Sequence, residues 1–384
     1  MEKSRGMPDF LLLFMTLALV GFGIIMVFSA SYILAYYDPD YNNDSLYFVK
    51  RQAMWALCGL IAMLIAMNVP YSFYKQSFPL IAFLAFLILF LVYTPLGKEL
   101  NGARSWIGLG PFTLQPAEFS KLGLIIYLAG LIAKKGDRFR LWKNGLVPAL
   151  VVTGTFFLAI AGQPDFGTGV ILLMTAVVVI FSGGAHLKHL MALCIPALAA
   201  LTILVMLAPY RIRRITTFLN PWNDGMNGLD EGYHLIQSFY AMANGGVGGV
   251  GFGKSIQKYL YLPYPQTDFI FSVMAEELGF IGCAMFLLFF ILFLWRIIYI
   301  TTECKDTFGN LVGIGIVSMV SIQAIINIGG VTGSIPITGV PLPFVSYGGS
   351  SLLVCMLSMG IILSISRETH KQGLRSRQQD RLNV

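Results

Sequence analysis

Long apolar runs separated by short polar connections make up most of this chain. Continuous runs of about 20 apolar residues predict helices that cross a bilayer, whereas barrel strands alternate apolar and polar positions. The runs cover residues 10–32, 50–69, 76–94, 114–133, 145–161, 166–184, 188–208, 268–298, 309–330 and 346–366. The pattern predicts an all-α integral membrane protein, a single polytopic domain over residues 1–384 with about ten transmembrane helices.

Composition and charge extend this prediction. With 56% hydrophobic and 12% charged residues, the 384-residue chain has too little polar surface for a water-soluble globule. Lysines and arginines collect on one set of connections and in the tail at residues 367–384. The positive-inside rule therefore predicts that both termini and this basic tail are cytoplasmic, and that the first span is an uncleaved helix starting there. We expect no nucleic-acid partner.

Residues 209–267 form the only long polar interruption, which the topology predicts to be an extracytoplasmic loop between helices 7 and 8. The loop is basic, against the local charge rule, and its charge is expected to attract an anionic ligand. It ends at Asp268, a carboxylate at the start of the eighth span. The loop's basic residues are Arg211, Arg213, Arg214, Lys254 and Lys258.

A glycine-rich motif within this loop, residues 248–255, satisfies the Walker A pattern and ends in Lys254 and Ser255. No buried strand is predicted before it and no Walker B strand after it, so an NTPase is disfavoured. Two interpretations stay open. The motif is either a flexible loop or a set of backbone amides that holds a diphosphate other than ATP.

Charged residues within or beside the spans need a reason, because each is costly in hydrocarbon unless paired or hydrated. Glu118 and Lys121 are three residues apart and share a helix face, which predicts an ion pair, either structural or in contact with a ligand. Asp165 lies at a tight turn between two spans and either caps a helix or belongs to a site. Asp268 either favours a helix N-terminus through the dipole or acts chemically. The cysteines and histidines show neither disulfide nor metal-ligand spacing.

Seven motifs in order carry a resemblance to a known family. The chain resembles the SEDS family of bacterial membrane proteins, which includes FtsW, RodA and SpoVE, and its motifs look more like those of FtsW and SpoVE than of RodA. Ser105, Ala117 and Gln266 depart from residues common in the family. The motifs occupy residues 101–107, 115–118, 163–167, 232–238, 258–263, 267–279 and 341–351.

The resemblance implies a peptidoglycan glycosyltransferase that polymerises lipid II at the outer face of the cytoplasmic membrane, for septal or sporulation cell-wall synthesis. Asp268 matches the family's aspartate, and a carboxylate can take the proton of an attacking sugar hydroxyl. The leaving undecaprenyl diphosphate calls for basic groups or a divalent cation such as Mg²⁺, with no organic cofactor. Expected substrate-binding residues are Arg104, Glu118, Lys121, Asp165, Arg211, Arg214, His234, Gln237, Lys254, Lys258, Ser346 and Ser350.

The implied partners are lipid II, the undecaprenyl-diphosphate-linked glycan, a class B penicillin-binding protein that crosslinks the new strand, and divisome or related cell-wall proteins. A lipid II flippase is the alternative function, since charged residues inside a bundle would serve a transporter as well. The distinctive motifs cluster on the predicted outer side, and no inverted repeat indicates alternating access. Both observations favour the polymerase.

Overall fold

A computed structural model describes residues 6–100, 103–109, 112–189, 191–192, 202, 206, 209–223 and 232–382, most of them in helices. The helices are α1 (Phe10–Tyr37), α2 (Tyr47–Asn68), α3 (Tyr71–Phe90), α4 (Pro116–Lys135), α5 (Val147–Ala161), α6 (Phe166–Ser182), α7 (Pro209–Leu219), α8 (Tyr233–Gly245), α9 (Ile270–Glu303), α10 (Thr307–Val331) and α11 (Gly349–Leu382). Three short strands, β1 (Gly97–Leu100), β2 (Ala103–Leu109) and β3 (Phe112–Leu114), lie between α3 and α4.

Nine of these helices coincide with predicted spans. Within the described residues, eight are long and apolar enough to cross a membrane, namely α1 to α5 and α9 to α11, and α6 is a shorter apolar helix. The predicted span at 188–208 lies largely outside the described residues, so the count of ten stays a prediction. The chain is a mostly helical, multi-span membrane protein, as its apolar pattern predicted.

A small antiparallel sheet is present in addition to the helices that the sequence predicted. β2 is central and pairs with β1 and β3. Burial alternates along it, with Arg104 exposed, Ser105 buried and Ile107 buried, as expected for a strand with one covered face. Short strands of this kind are hidden in a sequence whose strongest signal is the apolar runs on either side.

Three helices form the centre of the bundle. In their apolar windows α4 and α11 are each 78% buried and α10 is 67% buried, compared with 28% for α3 and for α9. Small residues allow close approach: Gly123 of α4 faces Ala85 of α3, and a Cβ at Gly349 of α11 would meet the ring of Trp55. The central position lets α4, α10 and α11 carry polar side chains away from lipid.

Helix α9 is interrupted at Gly279, whose backbone is non-helical with φ of 67°. The interruption frees backbone groups roughly 14 Å along the helix from its first residue. The glycine-rich motif and the residues just before it, here called the glycine loop (residues 246–255), pair with these groups. Non-helical backbone at such a depth is tolerated when it is buried in protein. The bonds are Val250 N–H to Glu276 O, Gly251 N–H to Glu277 O, Phe280 N–H to Gly246 O and Ile281 N–H to Val247 O, at 2.9 to 3.1 Å.

Candidate active site around Asp268

Asp268 lies two residues before the first residue of α9, at the end of the bundle where α4, α6 and α11 also begin. It is half-buried. Beside it is a small cavity of about 10 Å³, room for one water-sized group. The cavity is lined by Asp268, residues of the C-terminal part of α10, and residues 337–340 of the connection between α10 and α11. A carboxylate and a small cavity are therefore adjacent.

The backbone of Asp268 is held by a buried amide. Asn327 of α10 donates from Nδ2 to the carbonyl oxygen of Asp268 at 2.8 Å and to that of Val340 at 2.7 Å. The next contact along the chain is Tyr347 N–H, which donates to Gln266 O at 2.8 Å. The backbone of Asp268 is thus bound to α10, and that of Gln266 to the residues just before α11.

A second amide lies one helical turn before Asn327. Gln323 donates from Nε2 to Pro341 O at 3.0 Å and to Ser351 Oγ at 3.1 Å. Its Oε1 accepts from Lys121 Nζ at 2.8 Å. The two amides therefore bind the adjacent carbonyls of Val340 and Pro341 and fasten this connection to α10.

The predicted ion pair between Glu118 and Lys121 is confirmed. Lys121 Nζ lies 2.9 Å from Glu118 Oε1, and the side chains are 1% and 2% exposed. Pro116 is the first residue of α4, so the pair lies within two turns of the helix start. Because Lys121 also binds Gln323, the pair joins the hydrogen-bonded chain that leads to the connection beside Asp268. Its contact with substrate stays a prediction.

Asp165 caps a helix and also bridges to α4. Its Oδ1 accepts from Thr168 N–H at 3.3 Å at the start of α6, and its Oδ2 accepts from Gln115 Nε2 at 2.6 Å. Desolvation at this turn between spans raises the pKa of the Asp165 carboxyl, with repulsion from Glu118 adding to the rise. The capping interpretation is confirmed. Asp165 therefore lies near Glu118, at the start of α4.

The two predicted serines hold the start of α11. Ser350 Oγ accepts from Gln115 N–H at 2.9 Å, and Ser346 Oγ accepts from Leu342 N–H at 2.9 Å. Both side chains are buried. The structure gives them backbone partners that fasten α11 to α4 and to its own preceding turn, and their contact with substrate stays a prediction.

Lys258 is buried within the bundle. Its Nζ lies 2.7 Å from Glu277 Oε1 and 3.2 Å from Ser29 Oγ, with the lysine and glutamate side chains both 0% exposed. The ring of Tyr32 lies 4.9 Å from the same nitrogen. Lys258 was predicted to bind the lipid diphosphate, and that contact stays a prediction. In the structure it is the buried partner of a carboxylate in the bundle, where an unpaired Glu277 would be costly.

Glu276 binds Ser255 at the end of the glycine loop and two residues that flank the loop. It accepts from Ser255 Oγ, from Ile256 N–H at 3.0 Å and from Asn244 Nδ2 at 3.2 Å. The amides of Val250 and Gly251 donate to carbonyls of α9. These amides are already satisfied within the protein, so the diphosphate cradle inferred from the motif loses two of its donors. The glycine loop is a docked structural element.

The remaining predicted residues are distributed around this end of the bundle. Lys254 is exposed, and Arg104 is exposed and donates to Thr94 O at 3.0 Å. His234 of α8 stacks on Phe269, the neighbour of Asp268, with ring centroids 5.9 Å apart. Gln237, one turn later on α8, is half-buried. The side chains of Arg211 and Arg214, in α7, lie outside the described part of the structure.

Sequence reasoning missed Gln323 and Asn327. The available signal was a pair of amide residues four apart inside an apolar span, which places both on one helix face. Among the described residues, no three His, Cys, Asp or Glu side chains form a group that could hold a metal ion. One carboxylate beside a substrate diphosphate is still a common Mg²⁺ arrangement, and the cation stays a prediction.

The structure defines a multi-span helical membrane protein. Buried polar side chains, Glu118, Lys121 and Gln323, lie in its bundle near the carboxylate of Asp268 at one end. The family model described as "Cell cycle protein", FtsW/RodA/SpoVE, matches residues 10–371, and the chain belongs to this family. It is 46% identical to stage V sporulation protein E of Bacillus subtilis (strain 168) over 96% of this chain and 99% of that one. It is 38% identical to a probable peptidoglycan glycosyltransferase FtsW of Geobacter sulfurreducens over 93% and 95%.

Solved structures agree with the family. A chain from work on structural coordination of polymerization and crosslinking by a peptidoglycan synthase complex superposes with a TM-score of 0.78 at 30% identity, covering 94% of this chain and 98% of that one. The rod shape determining protein RodA of Thermus thermophilus gives a TM-score of 0.69 at 27% identity, covering 94% and 97%. The architecture described above is therefore the architecture of this family.

Proposed function

We propose that Asp268 is the general base of a peptidoglycan glycosyltransferase, the activity to which this family membership points, and that its substrate is lipid II. The observation that carries the proposal is the half-buried carboxylate of Asp268 beside a small cavity, with its backbone fixed by Asn327. A base must be held within hydrogen-bond reach of the proton that it removes. A fixed backbone supports that requirement better than a mobile loop does.

The reaction transfers a lipid-diphosphate-linked sugar to the 4-hydroxyl of another sugar. Asp268 accepts the hydroxyl proton while the oxygen attacks the anomeric carbon, and the bond from that carbon to the lipid diphosphate breaks. The leaving diphosphate carries the developing negative charge. The exposed Lys254 and Arg104 are candidates to stabilise it, and a divalent cation bound with the diphosphate would supply further charge neutralisation.

The site is proposed to face the extracytoplasmic side of the bacterial cytoplasmic membrane. Basic residues that lie at the opposite end of the bundle support this orientation. There Lys75 pairs with Asp306 at 2.6 Å and Arg296 pairs with Asp9 at 2.5 Å. A class B penicillin-binding protein and divisome or related cell-wall proteins are the proposed partners, in keeping with the synthase complex that contains a similar chain.

The test is polymerisation of purified lipid II in detergent with the partner transpeptidase present. Asp268→Asn replaces the carboxylate by an amide with little change in volume, and we expect glycan polymerisation to be lost while expression, thermal stability and partner binding stay near wild type. Polymerisation at the wild-type rate by Asp268→Asn would remove Asp268 from the role of base. Lipid II translocation across vesicles without polymerisation by wild type would favour a transporter.

A further inference from the structure

The amide of Asn327 joins the backbone of Asp268 to the backbone of Val340. Its Nδ2 donates to Asp268 O and to Val340 O, and both partners are carbonyl oxygens that can only accept. The orientation of the amide is therefore determined, with Oδ1 pointing away from these carbonyls. Asn327 is 4% exposed and lines the cavity beside Asp268. Its Oδ1 is buried and has no hydrogen-bond partner among the described residues.

The segment opposite Asp268, residues 339–341, is held by the same face of α10. Gly339 has φ of 73°, and a Cβ placed on it would lie 3.6 Å from Asp268 Oδ2, so this residue forms a wall beside the carboxylate. The next two carbonyls along the chain, of Val340 and Pro341, are bound by Asn327 and Gln323. Two amides of α10 therefore hold the backbone of this wall, and one of them also holds the backbone of Asp268.

Lys121 determines how Gln323 is turned. An ammonium group can only donate, so it requires Oε1 of Gln323 and leaves Nε2 to face Pro341 O. Glu118 in turn neutralises Lys121 within the bundle. The ion pair of α4 therefore acts on the Asp268 cavity through Gln323 and the segment at residues 339–341.

We propose that Asn327 is a positioning residue for Asp268. It fixes the backbone of the carboxylate against the wall at residues 339–340, with the Glu118–Lys121 pair supporting the wall through Gln323. The inference rests on the proposed role of Asp268 as the base. Asn327 acts through Asp268 and is not itself expected to bind the leaving diphosphate.

Asn327→Ala removes both donors, and we expect kcat for lipid II polymerisation to fall by roughly 10- to 100-fold, the loss that a displacement of about 1 Å produces. KM should change by less than about threefold, since the proposed contacts of Lys254 and Arg104 with the diphosphate remain. Gln323→Leu should give a smaller loss with the same pattern, because the Asn327 bonds persist.

Asn327→Asp tests whether the side chain at residue 327 lies close to the Asp268 carboxyl. It keeps the side-chain volume but places a second carboxylate near Asp268, and a nearby like charge raises the pKa of the base. The acid limb of the pH profile for kcat should therefore shift to higher pH. The matched control is Asn310→Ala on the same helix, which removes one amide bond to Thr301 O (3.0 Å) near the other end of α10. We expect this control to polymerise like wild type with an unshifted profile.

Asp268→Asn is measured in parallel to separate the two claims. An inactive Asp268→Asn with wild-type kcat in folded Asn327→Ala, or a loss confined to KM, would overturn the positioning role alone. An active Asp268→Asn would overturn the proposed base and this inference with it. If Asn327→Ala and Asn327→Asp both unfold where Asn310→Ala stays folded, Asn327 is a structural group and the inference fails.

Discussion

Lys258 and Glu277 form an ion pair from which solvent is fully excluded, with 2.7 Å between Nζ and Oε1 and neither side chain exposed. The pair joins the polar connection before α9 to the body of that helix, just before its break at Gly279. The hydroxyl of Ser29 in α1 donates its one proton to the Glu277 carboxylate, with Oγ 2.6 and 2.7 Å from the two carboxylate oxygens. The loop that precedes Asp268 is thus anchored inside the bundle.

Replacing Lys258 should therefore destabilise the protein. Lys258→Met leaves Glu277 charged and buried, at a cost of about 3 to 5 kcal/mol in the free energy of unfolding. Thermal unfolding in detergent measures the effect. Lys254→Met is the matched control from the same loop, because Lys254 is exposed, and its unfolding should stay within about 0.5 kcal/mol of wild type. Equal stability of the two variants would contradict the buried pair.

Lys254 is expected to act on substrate capture through long-range attraction. Lys254→Met should raise the apparent KM for lipid II by a few-fold at low ionic strength, and the difference from wild type should vanish near 1 M salt, where the Debye length is about 3 Å. Initial rates over a series of salt concentrations test this. An identical KM at every salt concentration would remove Lys254 from the anion-attracting surface.

Variants of the Glu118–Lys121 pair can distinguish an effect on stability from an effect on activity. Either single replacement by an apolar residue should cost about 3 to 5 kcal/mol, whereas Glu118→Leu with Lys121→Met should recover most of the stability. The double variant should nevertheless polymerise more slowly than wild type, because Gln323 loses the ammonium that orients it. The exposed pair Lys50–Asp44 is the control, and its removal should change stability by less than about 1 kcal/mol. A stable double variant with full activity would make the α4 pair purely structural.

Docking of the glycine loop onto α9 can be tested at adjacent glycines. Gly249 has φ of 79°, and a Cβ on it would lie 2.3 Å from Glu277 O. Gly249→Ala should therefore cost about 1 to 3 kcal/mol through backbone strain and lost docking. A Cβ on Gly248 would meet nothing within 4 Å, so Gly248→Ala should be nearly neutral. Thermal unfolding of both variants measures the difference. Wild-type stability of Gly249→Ala would show that the loop is not held against α9 at this residue.

Local features of the sequence were sufficient for the membrane architecture and for two of the site interactions. A bilayer demands continuous apolar helices, so composition and run length identify the spans directly. The Glu118–Lys121 pair and the Asp165 cap involve residues three apart, and such contacts follow from helix geometry alone. Asp268 was identified by the motifs of the family and by its place at the start of a span.

Only the tertiary structure decided which polar groups meet across the bundle. Lys121 and Gln323 are 202 residues apart in the chain, and Lys258 and Ser29 are 229 apart, so no local periodicity relates them. Charge alone could not distinguish Lys254 from Lys258, because burial is a property of the packed loop. In sequence, the glycine loop likewise resembles a phosphate-binding motif. In the structure, its amides donate to carbonyls exposed by the break in α9, because backbone amides bind whichever acceptors the fold places beside them.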